Sequence, residues 1–174
     1  MRVISGKCRG ISLYSPKNDR IRPTADKIKE AIFGSLQFEI GGDVLDLFSG
    51  SGALGIEALS RGANSATFVD NSRESIKLTE ANLEKTKLAA DAKVILSDYS
   101  AFLKNCKASY DIIFLDPPYR LDLNSSVLRQ INENKVLKKD GIIVCESEGE
   151  AKSYEPYNAY KIKQNGITTI AFLK

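Results

Sequence analysis

The residue run with the most specific chemistry is Asp116-Pro117-Pro118-Tyr119, which directly follows the apolar stretch Ile112-Ile113-Phe114-Leu115. Two consecutive prolines break a helix and stiffen a turn. The Asp116 carboxylate, the Pro117 carbonyl and the Tyr119 ring are therefore expected in fixed positions at a strand end. An exocyclic amine on a nucleobase is a poor nucleophile, because its lone pair is delocalised into the ring. Two acceptors aimed at its N–H groups localise that pair toward an electrophile, and an aromatic ring stacks on the flat base for about 1–3 kcal/mol. The tetrapeptide supplies two acceptors and a ring. A plain strand-terminating turn would use the same residue types, but its place after the acids described next favours the chemical reading. Asp116, Pro117 and Tyr119 are the candidate catalytic residues.

A second run, Asp46-Leu47-Phe48-Ser49-Gly50-Ser51-Gly52-Ala53-Leu54-Gly55, contains GxGxxG after the strand-like Val44–Phe48, and Asp70 ends the next strand-like segment. The same pattern marks dinucleotide sites, with the acid on the ribose hydroxyls. Asp46 separates the readings. A pyrophosphate wants a helix N-terminus and free N–H groups, and a neighbouring carboxylate would repel it. S-Adenosylmethionine carries no phosphate; its ammonium and sulfonium favour a carboxylate. The expected cofactor residues are Asp46, Ser49, Gly50, Gly52, Asp70, Asn71, Asp98 and Asp116, with Asp98, in Leu96-Ser97-Asp98-Tyr99, toward the adenine amine. Asp46, Asp70 and Asp98 could each also serve as a helix or turn cap. No metal is expected, because a cationic sulfur already activates the methyl group.

Composition narrows the chemistry. The chain has 174 residues and no histidine, which excludes imidazole bases, His-based triads and HExxH zinc sites. Cys8, Cys106 and Cys145 lie far apart, with no CxxC pair, so neither a zinc cluster nor a disulfide framework is suggested. Apolar content of 43% and charged content of 27% fit a soluble globular domain. No apolar run approaches the roughly 20 residues that span a bilayer, and Met1–Lys7 lacks a signal-like apolar region. A cytoplasmic monomer is expected. Residues 1–29 hold eight basic and two acidic residues, a local +6 against an overall +3. Such a leading segment suggests a polyanion-binding arm, and a merely solvated terminus is the competing reading.

The elements that must position these groups read as an alternation of strands and helices. A short β-hairpin is expected in residues 1–14, around Gly6-Lys7-Cys8-Arg9-Gly10. Thr24 is the expected N-cap of a helix carrying Ile28, Ile32, Phe33 and Leu36. Strands follow at Val44–Phe48, Ser65–Asp70, Ala92–Leu96, Tyr110–Leu115 and Gly141–Glu146. Helices are expected at Ser51–Arg61, Arg73–Lys87, Tyr99–Lys104 and 124–137. Residues 154–173 read as two strands joined at Asn165-Gly166, a hairpin dipeptide. This order predicts an α/β fold, a mostly parallel doubly wound sheet with a closing antiparallel hairpin. Open sheets of this kind bind ligands at the strand C-termini. A single unit over 1–174 is expected, with residues 1–23 as the basic arm and 24–174 as the catalytic core.

The glycine loop and the tetrapeptide together resemble the seven-strand S-adenosylmethionine methyltransferases of the amine-methylating branch. Met1–Lys7 with Arg9-Gly10, Arg22–Asp26 with Lys29–Phe33, and the run Asp46–Ala63 narrow the resemblance to the RsmD-type family. The resemblance covers nearly the whole chain. It implies a Rossmann-like fold and methylation of a guanine N2 amine in small-subunit ribosomal RNA. It also implies S-adenosylmethionine as cofactor and Lys7, Arg9, Arg20 and Arg22 as phosphate contacts. An assembled particle is the expected substrate form. Where such enzymes often place Glu at the second strand end, this chain has Asp70, and Ser49 stands where Ala is common.

Other readings stay open from sequence. The tetrapeptide also serves adenine-N6 methyltransferases of DNA or RNA and amide methylases of protein. A nicotinamide-dependent oxidoreductase explains GxGxxG and Asp70 but leaves Asp46 and the tetrapeptide without a role. A non-catalytic RNA-binding factor could keep the fold alone.

Overall fold

The structure, a computed structural model, describes residues 1–16, 23–36, 40–117, 124–149 and 153–174. Its centre is a seven-stranded sheet in the order β3-β2-β1-β4-β5-β7-β6. The strands are β1 (Asp43–Asp46), β2 (Ser65–Asp70), β3 (Ala92–Leu96), β4 (Tyr110–Leu115), β5 (Leu137–Glu148), β6 (Ala159–Asn165) and β7 (Thr168–Leu173). The first five pair in parallel, and β7 runs antiparallel between β5 and β6. This is the doubly wound sheet with a closing hairpin that the alternating pattern predicts. At the hairpin, Asn165 still pairs with Thr168, so the turn residues are Gly166 and Ile167. Gly166 supplies the positive φ of 63°.

The helices are α1 (Pro23–Ser35), α2 (Ala53–Arg61), α3 (Arg73–Thr86), α4 (Tyr99–Asn105) and α5 (Asn124–Glu133), with a 3-10 turn at Ala89–Asp91. Strand alternation divides the core in two. Even-numbered Val44, Ala66, Phe68, Ile112, Phe114, Ile142 and Val144 face α1, α2, α3 and the leading arm. Odd-numbered Leu45, Val69, Ile113, Leu115, Ile143 and Cys145 face α4 and α5. Both faces are covered, as a parallel sheet requires. Full burial of a side chain such as Phe68 contributes about 1.5–3 kcal/mol.

Several boundaries differ from the sequence reading. Thr24 lies inside α1, which begins at Pro23; proline is pre-set for the first helical position, so Thr24 is not the N-cap. The glycine turn consumes Ser51 and Gly52, and α2 begins at Ala53 with Gly52 as its cap at φ 77°. The expected helix over 124–137 ends at Glu133, because Lys135 turns the chain at φ 54°. The fifth strand is longer than Gly141–Glu146, spanning twelve residues with an irregular register near its start. The leading hairpin forms, but its pairing is one bridge, Arg2 with Ser12, rather than a ladder. Backbone hydrogen bonds from Val3 N–H to Ile11 and from Leu13 N–H to Met1, both 2.9 Å, hold it together with packing of Val3, Cys8 and Leu13 into the core. Glu57 of α2 also accepts the Ile4 and Ser5 N–H groups at 2.8 and 3.0 Å.

Among the described residues, no helix is long and apolar enough to cross a membrane.

Candidate active site

Four acids lie at or near the C-terminal ends of four adjacent parallel strands on one sheet face: Asp46 and Asp70 close β1 and β2, Asp116 follows β4, and Glu146 lies two residues before the end of β5. Their even numbering continues the alternation of Val44, Phe68, Phe114 and Val144. β1 and β4 are in register at Asp46 and Phe114, and β4 and β5 at Leu115 and Cys145. Asp116 and Glu146 therefore leave neighbouring strands at the same level.

Asp46 is 2% exposed and accepts a hydrogen bond from the Gly55 N–H at 3.0 Å. That donor belongs to the first turn of α2, where an anion would otherwise bind. The carboxylate thus occupies the place a pyrophosphate would take. Burial pushes its pKa up to about 7 against the Gly55 hydrogen bond, and the nearby Asp116 and Asp70 charges push the same way. Burial also pushes Asp116 up to about 6. Glu146, 5% exposed, is raised well above the ordinary carboxylate range by burial, then by Asp116 and Asp46. Negative charge is concentrated here with no cation from the described residues among its influences.

The glycine loop is fixed from several sides. Leu47 N–H donates to the Phe114 carbonyl at 3.2 Å and Ser49 N–H to the Val69 carbonyl at 3.0 Å. Gly50 N–H donates to Asp70 Oδ2 at 2.9 Å. From α3, the Thr79 hydroxyl donates to the Gly50 carbonyl at 3.1 Å and Asn82 Nδ2 to the Ser51 carbonyl at 2.9 Å. Gly50 and Gly52 have φ of 53° and 77°, a region other residues rarely adopt. The Ser49 hydroxyl is buried with no hydrogen-bond partner.

Of the expected cofactor residues, Asp46, Ser49, Gly50, Gly52, Asp70 and Asp116 lie along the C-terminal edges of β1, β2 and β4. Asn71 is exposed in the connection after Asp70. Asp98 is exposed and caps α4, its Oδ1 accepting the Ser100 and Ala101 N–H groups at 2.9 and 3.3 Å. Its cap reading is therefore realised, and Oδ2 takes no part in that cap. Asp70 is not the cap of α3; Ser72 is. Pro117 is buried beside Asp116, whereas Tyr119 lies outside the described residues.

The basic arm divides. Arg20 and Arg22 lie outside the described residues. Lys7 and Arg9 are exposed but stand at the far end of the helices. The intervening Cys8 donates its N–H to the hydroxyl of Ser60, in the last turn of α2, and its thiol to the carbonyl of Thr86, which ends α3. Lys7 also faces Asp91 at 3.6 Å, at the start of β3. α2 separates them from the glycine loop by about 14 Å at 1.5 Å per residue.

The sequence reading missed Glu146 and the two α3 residues. Glu146 follows the buried run Ile142–Cys145 in phase with the other strand-end acids. Thr79 and Asn82 are polar residues on the inward face of an amphipathic helix, where apolar side chains would be expected. Phe48 and Tyr99, with ring centroids 5.6 Å apart, add an aromatic pair beside Asp98.

The sheet order and the strand-end acids define the class of the fold: a Rossmann-like seven-strand methyltransferase fold. The chain belongs to the family described as "conserved hypothetical protein 95", which matches residues 1–174. It is the RsmD-type family that the motifs resemble. Ribosomal RNA small subunit methyltransferase D of Escherichia coli (strain K12) is 36% identical over 151 residues, 86% of this chain and 76% of that protein. A candidate rRNA methyltransferase of Bacillus subtilis, YlbH, is 38% identical over 181 residues, covering 100% of this chain and 98% of that protein. The solved structure of a candidate methyltransferase of Escherichia coli, yhhF, superposes with a TM-score of 0.88. It is 33% identical, covering 99% of this chain and 96% of that one.

Proposed function

We propose that this chain is a cytoplasmic, monomeric enzyme that methylates the exocyclic N2 amine of a guanine in small-subunit ribosomal RNA, with S-adenosylmethionine as cofactor. The reading rests most on the Asp46 carboxylate held against the Gly55 N–H. It fills the anion position of α2 and feels the neighbouring Asp116 and Asp70 charges. Such a site repels a dinucleotide pyrophosphate and favours a ligand carrying ammonium and sulfonium charges. The nicotinamide reading has no use for it.

When bound, S-adenosylmethionine supplies an electrophilic methyl group on a cationic sulfur. The chain's own residues do the rest. Asp46 and the glycine loop hold the cationic end, and the orphaned Ser49 hydroxyl gives the ligand a partner. Asp70 accepts from the ribose hydroxyls while fixing the loop. Asp98 Oδ2 meets the adenine amine, with Phe48 and Tyr99 beside it. Asp116 and the Pro117 carbonyl accept the two N–H groups of the target amine, and Tyr119 stacks on the base. Preorganised acceptors and alignment supply the rate enhancement. Asp116, with its pKa raised, accepts a proton better than an ordinary carboxylate.

The whole chain acts as one unit, residues 1–23 as arm and 24–174 as catalytic core. Lys7 and Arg9 contact RNA phosphates about one α2 length from the target base, and Arg20 and Arg22 contact phosphates too. Phosphate contacts position the nucleic acid, while base contacts specify it. A footprint this small favours an assembled particle over naked RNA. Methyl-labelled cofactor offered to unmodified particles and to the same RNA stripped of protein tests this. Faster labelling of the particle is expected; equal or slower labelling refutes that part of the reading.

A further inference from the structure

Glu146 has no role in the scheme above, yet it is a buried carboxyl group on which the Asp116 charge acts directly. It lies in β5, one residue past the Leu115–Cys145 register pair, on the face that carries Val144. Asp116 lies one residue past the same pair on β4. Both carboxyl groups therefore emerge side by side, and Glu146 is 5% exposed. Among the described residues, no N–H or O–H group hydrogen-bonds to either one. Among the described residues, the charges that act on Glu146 are those of Asp116 and Asp46. β4 brings Asp116 and β1 brings Asp46, while Asp70 of β2 lies farther along the row. β7 presents the apolar Ile170 opposite it. Cys145, its chain neighbour, packs in the other core. None of these is a cation.

Two adjacent carboxyl groups with no donor or cation among the described residues hold one proton between them. The geometry points to Glu146 as a positioning residue for Asp116, its carboxyl O–H donating to one Asp116 oxygen so that the other is aimed at the substrate amine. The inference rests on Asp116 being the amine acceptor. A protonated Glu146 gives one Asp116 oxygen a donor, fixes the rotamer of Asp116 and keeps the pair at a single negative charge. Asp46 shares the same region but is held by Gly55 instead.

Two measurements test the pairing. The first is a 13C titration of the Glu146 side-chain carboxyl in the cofactor-free protein. Glu146 is expected to titrate well above the ordinary value of about 4.3, and to fall by about one unit or more in Asp116→Asn. A titration in the ordinary range, or one unmoved by Asp116→Asn, overturns the inference whatever the enzyme methylates. The second is a kinetic comparison. Glu146→Ala is expected to lower kcat by about tenfold or more, with less than about threefold change in the dissociation constant of S-adenosylhomocysteine. Glu146→Gln, which keeps an N–H donor, is expected to recover most of that loss and to abolish the alkaline fall of the kcat–pH profile. A Gln variant as impaired as Ala, or one with the parent's pH profile, refutes the role. Absence of guanine methylation by the unaltered protein would instead refute the base assignment and leave the titration to decide on Glu146.

Discussion

Gly50 donates its backbone N–H to Asp70 Oδ2 at 2.9 Å, and Oδ1 of the same carboxylate takes the Ser72 N–H at 2.8 Å. One side chain ties the glycine loop after β1 to the start of α3. Hydrogen bonds to a charged acceptor contribute about 1.5–3 kcal/mol each, so Asp70→Ala releases the loop and also removes the proposed ribose acceptor. Calorimetric titration with S-adenosylhomocysteine is expected to show at least about a tenfold loss of affinity, with Asp70→Asn intermediate. Unchanged affinity in Asp70→Ala would remove Asp70 from the cofactor site.

The raised carboxyls make stability depend on pH in a definite direction. Asp46 titrates at about 7 and Asp116 at about 6 when folded, against an ordinary 3.8. The folded chain therefore binds protons more tightly than the unfolded chain. Their stabilisation is complete below the unfolded value and is lost as pH rises through the folded values. The cofactor-free protein is expected to melt at progressively lower temperature from about pH 4 to about pH 7 on this account. Asp46→Asn removes its share of that loss, raising the melting temperature near pH 7 but not near pH 4, while weakening cofactor binding. Thermal denaturation across that range reads the effect; a parallel fall in both proteins would contradict it.

Gly55, which bonds Asp46, also leaves no room for a side chain beside the aromatic ring of Phe68. A Cβ at Gly55 would lie 2.3 Å from Phe68 Cε1 and 2.7 Å from Cζ. Phe68 is fully buried, so the ring has no free direction in which to move. Overpacking of this kind costs about 1–3 kcal/mol. Gly55→Ala is expected to lower the melting temperature and, by displacing α2 from β1, to weaken cofactor binding as well. A variant as stable as the parent would show that α2 can shift freely.

Sequence alone was most informative where a residue type has one physical use. Proline pairs, positive-φ glycines and acids after buried runs located the tetrapeptide, the loop and three of the four strand-end acids. The alternation of strand and helix patterns yielded the sheet class, because a buried parallel strand and an amphipathic helix differ in period. Glu146 escaped because an acid near a strand end ordinarily reads as a solvated boundary. Its burial comes from β4 and β7, which are distant in sequence. Thr79 and Asn82 escaped for a related reason: their partners are loop carbonyls, which only the folded arrangement brings to α3. Asp98 shows the converse, since its side chain satisfies a local cap that sequence shows as clearly as any ligand role. The arm was legible as basic, but its attachment at the far ends of α2 and α3 depends on Glu57 and Ser60, more than fifty residues away.

Glu57 holds that attachment. It is fully buried and accepts from Lys29 Nζ at 3.0 Å and Arg61 Nε at 2.7 Å as well as from the arm's backbone. Burial lowers the Lys29 pKa against the pull of Glu57. Removing one partner of a buried pair costs about 3–5 kcal/mol, because the other charge is left uncompensated. Glu57→Ala is expected to destabilise the protein by that order and to loosen residues 1–9, seen as faster amide exchange at Ile4 and Ser5. Protection unchanged at those amides would show that Val3, Cys8 and Leu13 alone anchor the arm.

Asp116 is proposed to present a guanine amine for methylation. The most direct test of this is to incubate the protein with methyl-labelled S-adenosylmethionine and unmodified small-subunit particles, digest the RNA and identify the labelled nucleoside, with Asp116→Ala in parallel. Label is expected in N2-methylguanosine, with a loss of about a hundredfold or more in the variant. Label in N6-methyladenosine, or equal label with Asp116→Ala, would contradict it.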